Sequence, residues 1–482
     1  MLSAHSVFSL KNLAILSFIV LIVLSVNVQL LPDNFYLHDT HRLISLMLLA
    51  LVLIYSAINR LSIGNLLPIS PNIRIAFFIL LALGIASTTL SHYPRHAMIE
   101  LSIFAGLGYM ALFSAELLIE NEEEFIKQFI YVLWASIFLY MLSFYVGYIS
   151  AAFANTTLQW PLPNKGFTSI RSFNQYQLWS IGLITLPVLA FNLNKTTKRW
   201  LTVALTCWWL ILFYSASRGV LLAWLVGMLM TAFAYKKLAW SFLRLQLLSI
   251  STGFLAYYVL FKLLPTLLKL DFVTGSITRQ TISDRTDLWD ICIRMIEFHP
   301  FVGVGPLHFY WYTTLDTHPH NSLLQLAAEW GLPATFIMIG IAGYGFYSWF
   351  KKFNYNNLRA QPKFERNLTV MIFFTVITNS AYSLVDGVIV MPISQILMFT
   401  IIGLMIGQYK QNQTVDAASG SAMHKVKFRP IFSGIVLIAL VWSTLPEIIE
   451  GLSGSIRGFT TGPNIINTRI WVLPGRSWQD NS

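Results

Sequence analysis

Charged side chains are scarce in this sequence. Only 11% of its 482 residues are Asp, Glu, Lys or Arg, whereas 56% are hydrophobic. A soluble domain carries about 25% charged residues. Long apolar runs also recur along the whole chain, which a soluble core of this size does not need. The composition therefore excludes a soluble globular protein and predicts an all-α, polytopic transmembrane helical bundle.

Three further absences narrow the range of possible functions. The two cysteines, Cys207 in an apolar run and Cys292 in a polar segment, form neither a disulfide framework nor a metal-binding motif. No Gly-Lys-Ser/Thr phosphate loop is present, so a P-loop nucleotide site is excluded. No internal repeat is visible, although many secondary transporters are built from inverted repeats.

Apolar runs predict about 12–13 membrane spans, each near the ~20 residues that cross ~30 Å of hydrocarbon. The first run lacks a small-residue cleavage pattern, which predicts an uncleaved first span. The runs lie at about 13–31, 43–59, 75–91, 99–119, 129–153, 178–193, 201–217, 220–235, 247–264, 323–350, 368–384, 393–409 and 431–449.

Basic residues predict the orientation of the bundle. Alternate loops, beginning with the N-terminal segment, hold 19 of the 32 Lys and Arg residues. Because cytoplasmic loops are enriched in basic residues, the N-terminus should lie inside. This pattern also accounts for the net charge of +11 without a nucleic-acid partner. We expect a catalytic bundle over 1–409, a cytoplasmic linker over 410–430, and an additional span with an outer tail over 431–482.

The largest outer segment, 265–322, contains a predicted helix. Ser283 can cap a helix that begins at Asp284, and His299-Pro300 ends it. Arg285 and Trp289 share one face of this helix, whereas Arg294 points about half a turn away. Arg285 or Arg279 is therefore a candidate ligand for an anion, and the alternative for Arg285 is local pairing with a neighbouring aspartate.

Arg218 lies between two apolar runs with almost no loop to spare, in Ser217-Arg218-Gly219. An unpaired guanidinium at that depth costs a few kcal/mol. It either extends to lipid headgroups or faces the bundle interior as an anion site. Its planar fork suits phosphate because it donates two parallel hydrogen bonds.

His318, His320 and Asn321 lie where the outer segment meets the apolar run from 323. Zinc would need more ligands at usable spacing, and His308, Asp316 and Glu329 are only loosely placed. A histidine that serves as a general base for a hydroxyl fits better. The remaining alternative is a pair of interfacial histidines that only cap the next helix. Glu329 and Asp386 are carboxylates that could orient the histidine or neutralise an arginine.

Arginines and histidines on the outer face of a membrane bundle suit a lipid whose diphosphate head carries a transferable group. The departing pyrophosphate needs its charge neutralised, and the acceptor hydroxyl needs a base. We expect His320, Arg218 and Arg285 to be catalytic. The candidates for substrate binding are Arg279, Arg171, Asn321, His318, Gln175, Asp386 and Glu329. No metal or cofactor is expected.

The motifs resemble the bacterial O-antigen ligase superfamily, which includes O-antigen ligases, protein O-oligosaccharyltransferases and O-antigen polymerases. Its pattern is His followed by Asn, Ser or Gln, then nine residues, then Gly-x-x-Gly. Here His320-Asn321 is followed after nine residues by Gly331-Leu332-Pro333-Ala334, in which Ala334 replaces the second glycine. The arginine in Ser217-Arg218-Gly219 and the helix from Arg285 also resemble family elements, as does the Asn-Gln element at Asn174-Gln175.

The resemblance implies a GT-C-like bundle in the inner membrane that transfers a glycan from undecaprenyl diphosphate without a metal. It implies that Arg218 and Arg285 hold the diphosphate and that His320 serves the acceptor hydroxyl. The acceptor is a lipid A-core sugar, a Ser or Thr of a pilin or another periplasmic protein, or a second lipid-linked glycan. The additional span and outer tail favour the protein-glycosylating branch. A lipid-linked glycan flippase is the alternative of another class.

Overall fold

The computed structural model describes residues 9–31, 37–59, 61, 71–164, 166–167, 169–275, 285–313, 316–414 and 429–452. These residues are almost entirely helical. The helices are, in chain order, α1 (Leu10–Asn27), α2 (Leu37–Asn59), α3 (Pro71–Leu90), α4 (Pro94–Glu120), α5 (Glu122–Ala154), α6 (Ile170–Ile181), α7 (Leu186–Ala190), α8 (Lys195–Tyr214), α9 (Arg218–Tyr235), α10 (Trp240–Tyr258), α11 (Leu264–Leu268), α12 (Arg285–Phe298), α13 (Ser322–Trp330), α14 (Leu332–Lys352), α15 (Tyr355–Arg359), α16 (Lys363–Tyr382), α17 (Pro392–Thr414) and α18 (Arg429–Leu452).

The predicted all-α membrane bundle is confirmed. Within the described residues, eight helical segments are long and apolar enough to cross a membrane, and the run from α9 to α11 counts as one of them. Helices α8, α14 and α16 each have 20 or 21 residues and lie where the sequence predicts further spans. Helix α17 packs along α4, α9 packs along α16, and α8 packs along α10.

The apolar run expected as one span over 323–350 is two helices, α13 and α14, separated by Gly331. Gly331 has a φ of +83°, and a Cβ at this position would lie 2.4 Å from the Phe301 carbonyl oxygen. The segment before α13 packs against this break, since Leu332 donates its N–H to the Pro300 carbonyl at 2.8 Å. Only glycine combines this φ with so close an approach of another backbone.

The polar residues Asn174 to Gln177, which precede the apolar run predicted from 178, lie inside helix α6 and are buried. Helix α6 begins at Ile170, capped by the Ser169 hydroxyl, which accepts the Ser172 N–H at 3.1 Å. The helix begins before the predicted run because that run was defined by its apolar residues alone. Amides within a helix bundle can instead be buried against neighbouring helices.

The described residues between α11 and α13 pack against the bundle. Leu158–Gln159 pairs in parallel with Phe272–Val273, which joins this segment to the one between α5 and α6. The predicted helix near 284–298 is confirmed as α12, which ends at Phe298 before His299-Pro300. Ser283 and Asp284, the expected cap residues, lie outside the described residues.

Candidate active site

The beginning of α13 fixes the two residues of the His-Asn motif. The Asn321 side chain accepts the N–H groups of Leu323 and Leu324, each at 3.0 Å, and so caps the helix. His320, just before the cap, has a φ of +52°. A side chain other than glycine rarely adopts this region, at a cost of about 1–2 kcal/mol. With this backbone conformation, the His320 imidazole contacts residues of other segments.

His320 lies between two carboxylates and an arginine. Its Nδ1 is 3.4 Å from Asp386 Oδ1, and its Nε2 is 2.9 Å from Asp316 Oδ2. A guanidinium nitrogen of Arg171 also contacts the His320 ring nitrogens. The His318 and His320 rings stand nearly perpendicular with centroids 4.1 Å apart, and His318 Nδ1 accepts the His320 N–H at 3.2 Å. Both imidazoles are buried.

The loop between α16 and α17 brings Asp386 to the histidine. Ser322 donates its N–H to the Ser383 carbonyl at 2.8 Å and its hydroxyl to the Asp386 carbonyl at 3.2 Å. Gly387 donates its N–H to Asp386 Oδ1 at 2.7 Å. A Cβ on Gly387 would lie 2.6 Å from His318 Nδ1, so glycine permits this close approach. The loop and the beginning of α13 therefore form one hydrogen-bonded unit.

The two carboxylates are held in their ionised form. Burial alone would raise the pKa of Asp386, but the hydrogen bond and charge of His320 lower it below its ordinary value, with a further contribution from His318. The pKa of Asp316 is lowered in the same way against the effect of burial, with additional help from the Thr317 N–H. Negative charge therefore persists on both sides of the imidazole at neutral pH.

Three arginines share the electrostatic environment of this corner. Burial lowers the pKa of Arg285, the charge of Arg171 lowers it further, Asp386 opposes both effects, and Arg218 also contributes to the lowering. The Arg285 Nε is buried and has no hydrogen-bond partner among the described residues. Neighbouring cations favour an anion between them.

Helix positions explain how these arginines converge. Arg218 is the first residue of α9 and is exposed, and the adjacent Ser217 interacts with Tyr382 at the end of α16. Tyr382 in turn interacts with Asp386. On α12, the Trp289 Nε1 donates to the Pro319 carbonyl at 3.0 Å, which turns the Arg285 face toward the histidines. Arg294 is exposed, as the half-turn geometry predicts.

A metal ion does not fit this cluster well. The ligand atoms of Asp316, His318 and His320 lie within 4.8 Å of one another, which is close enough to suggest a cation site. However, Arg171 contacts the His320 ring nitrogens, and a donor-only cation opposes a metal ion there. The three neighbouring arginines favour an anion instead.

Other predicted site residues lie elsewhere. Glu329 is buried on α13, but its carboxylate accepts the Phe309 N–H at 3.0 Å and a Gln325 amide hydrogen at 3.3 Å. It thus holds the outer segment on α13, away from the imidazoles. Gln175 lies one helical turn after Arg171 on α6, is buried, and has no hydrogen-bond partner among the described residues. Arg279 lies outside the described residues.

Sequence reasoning missed two members of this cluster. Asp316 precedes His320 by four residues, a spacing considered only for a metal site. Tyr382 gave no signal because a tyrosine near the end of an apolar run is typical of a membrane interface. In the folded chain, an Asp316 carboxylate oxygen is within hydrogen-bond distance of His320 Nε2. Tyr382 interacts with both Ser217 and Asp386.

One family model matches the chain: residues 201–339 match the model described as O-antigen ligase. The match supports the resemblance of this chain to the O-antigen ligase superfamily. This segment contains Arg218, Arg285 and the His320-Asn321 motif, so the predicted resemblance is confirmed. Arg171 and Asp386, which contact His320 in the folded chain, lie on either side of the matched segment. A search of curated proteins found no match.

The O-antigen ligase match supports a membrane glycosyltransferase of ligase or polymerase type, acting on a lipid-linked glycan and an acceptor. Together with the apolar helices, it indicates a multi-pass membrane protein.

Proposed function

We propose that this protein transfers a glycan from undecaprenyl diphosphate to a hydroxyl acceptor on the periplasmic face of the inner membrane. The observation that carries the proposal is the convergence of Arg171, Arg218 and Arg285 beside a histidine held between two carboxylates. Cations are suited to a departing diphosphate, and the histidine is suited to an acceptor hydroxyl.

Arg218 and Arg285 bind the diphosphate in this proposal. Arg218 is exposed at the beginning of α9, and the Arg285 Nε donor is available for an anion. As the acceptor oxygen forms its bond to the anomeric carbon, the bond between that carbon and the diphosphate breaks. Undecaprenyl diphosphate leaves with the bonding electrons, and its growing negative charge is stabilised by the guanidinium groups without a metal.

His320 takes the proton of the acceptor hydroxyl in this proposal. When Nδ1–H points to Asp386, Nε2 carries the lone pair that can accept a proton. Once protonated, Nε2–H donates to Asp316, so the imidazolium has a carboxylate at each nitrogen. Asp386 thus orients the base, as a buried carboxylate does in a Ser-His-Asp triad, and Asp316 stabilises the product state.

Arg171 contacts the His320 nitrogen that the acceptor hydroxyl needs. Both groups are hydrogen-bond donors, so they compete for a single lone pair. A diphosphate that draws Arg171 toward itself frees Nε2. Donor binding therefore prepares the site for the acceptor, which gives an ordered reaction.

The acceptor is a lipid A-core sugar, or a Ser or Thr of a pilin or another periplasmic protein. An O-antigen polymerase that uses a second lipid-linked glycan is the alternative within the superfamily. A deletion strain separates these activities from a flippase: outward-facing undecaprenyl-linked glycan should accumulate if the protein is a transferase. Inward-facing accumulation would support a flippase. Mass spectrometry of pilin and lipopolysaccharide from the same strain identifies the acceptor.

A matched pair of variants on α12 tests the diphosphate site. Arg285→Ala should lose donor binding and transfer, whereas Arg294→Ala, on the exposed face of the same helix, should remain near wild type. Transfer is measured with purified protein in nanodiscs and an undecaprenyl-diphosphate glycan donor. Equal losses in the two variants would contradict the proposed role of Arg285.

The periplasmic orientation of the site is tested with reporters. Alkaline phosphatase placed after Leu452 should be active, and a fluorescent protein that folds only in the cytoplasm should be dark there. The opposite result would reverse the proposed direction of α18.

A further inference from the structure

A buried arginine of α2 holds the loop that carries Asp386. Arg42 is only 3% exposed. Its Nη1 donates to Gln395 Oε1 on α17 at 2.7 Å, and its Nη2 donates to the Val390 carbonyl at 2.6 Å. Gln395 in turn donates its Nε2 to the Ile389 carbonyl at 2.7 Å. Side chains from two helices therefore bind two consecutive carbonyls of one loop.

The same loop is attached to the histidine corner at its other end. Ser322, two residues after His320, bonds the Ser383 and Asp386 carbonyls. The segment from Ser383 to Val390 is thus fixed at both ends, and Asp386 lies within it. Carbonyls buried among helices need donors, and a buried guanidinium needs acceptors, so each meets the requirement of the other.

We propose that Arg42 is a positioning residue that acts with Gln395 to hold Asp386 against His320. The inference rests on the proposed function, because it gives Asp386 the task of orienting the base. It extends the site to α2, which lies outside the segment that matches the O-antigen ligase model. Arg42 acts through the loop, which it reaches by its contacts to Gln395 and Val390.

Transfer kinetics give the first test. Arg42→Met removes both bonds, and a displaced Asp386 should lower kcat by about 10²-fold, the usual cost of a misplacement near 1 Å. KM for the lipid-linked donor should stay within about threefold, because the proposed diphosphate ligands are other arginines. In an Asp386→Asn background the same substitution should cost little more, since both changes affect one interaction. Equal fold losses in the two backgrounds would overturn the proposal.

A second measurement does not depend on transfer. His320 is 3% exposed, and in Arg42→Met its labelling by diethylpyrocarbonate should rise several-fold when the loop is released. The exposed His299 is the internal reference and should label equally in every variant. Mass spectrometry quantifies both sites in nanodiscs. Unchanged labelling of His320 would overturn the proposal, even if the wild-type protein transferred no glycan.

Two further variants distinguish loss of the Arg42 loop contact from general misfolding. Gln395→Glu keeps an acceptor for Arg42 but removes the donor to Ile389, so it should shift kcat and His320 labelling in the same direction by a smaller amount. Arg95→Met is the control, because Arg95 bonds Glu447 of α18 at 2.5 Å and has no role in the loop. It should leave kcat and labelling unchanged. A loss in Arg95→Met equal to that in Gln395→Glu would overturn the specific role of the Arg42 loop contact.

Discussion

Replacing His320 with alanine tests the centre of the proposed mechanism. The substitution removes the group that contacts Asp386, Asp316 and Arg171, and leaves the Asn321 cap of α13 intact. General acid–base catalysis typically contributes about 10²–10⁴-fold, or about 3–5 kcal/mol at 1.36 kcal/mol per tenfold change. We therefore expect transfer to fall by that factor.

Donor binding should persist in the His320→Ala variant. The proposed diphosphate ligands are Arg218, which is exposed at the beginning of α9, and Arg285. The substitution changes neither of them. Loss of the imidazole also frees Arg171 to pair with the diphosphate. Binding of the lipid-linked donor, measured by fluorescence or by thermal shift in nanodiscs, should thus remain close to wild type while transfer is lost.

His318→Ala is the matched control. His318 lies beside His320 and accepts its backbone N–H, whereas the His320 ring itself contacts both carboxylates and the Arg171 guanidinium. We expect a loss of transfer well below that of His320→Ala. Exchanged effects would refute the assignment of His320 as the base. Loss of donor binding in His320→Ala would show that the imidazole serves the diphosphate, and normal transfer by both variants would make this corner purely structural.

Four other predictions follow from the geometry. Arg218→Lys should lose most transfer at a normal protein level, because an ammonium cannot make the two-pronged contact with a diphosphate; near-normal rates would indicate headgroup contact only. Gly331→Ala should lower the free energy of unfolding by about 1–3 kcal/mol because of its positive φ and its close backbone contact, whereas Gly340→Ala, where an added Cβ meets nothing within 4 Å, should not. Because folding lowers the pKa of Asp386, its stabilising contribution is present above the unfolded value of ~3.9 and is lost as the pH falls toward the folded value. The melting temperature should therefore decline only below about pH 4, and less so in Asp386→Asn. Finally, initial-rate kinetics should show donor binding before acceptor binding, and Arg171→Ala should make the order random.

Local sequence signals determined much of this protein. Long apolar runs require helices, because backbone groups in a lipid environment must be satisfied within the segment. The class of fold followed from that requirement alone. The α12 helix could also be predicted, since its period separates Arg285 from Arg294 and His299-Pro300 ends it. The spacing from His320 to Gly331 pointed to the superfamily that residues 201–339 match.

Only the tertiary structure decided which polar groups meet. Asp386 is 66 residues from His320 and Arg171 is 149 residues from it, and no local pattern encodes pairings across such separations. Helix packing brings α6, α13 and the loop after α16 together. In the same packing, Glu329 binds the Phe309 N–H, and Arg42 of α2 contacts the loop that carries Asp386. Sequence periodicity fixes which face of a helix a residue occupies, but its neighbour depends on how the other helices pack around it.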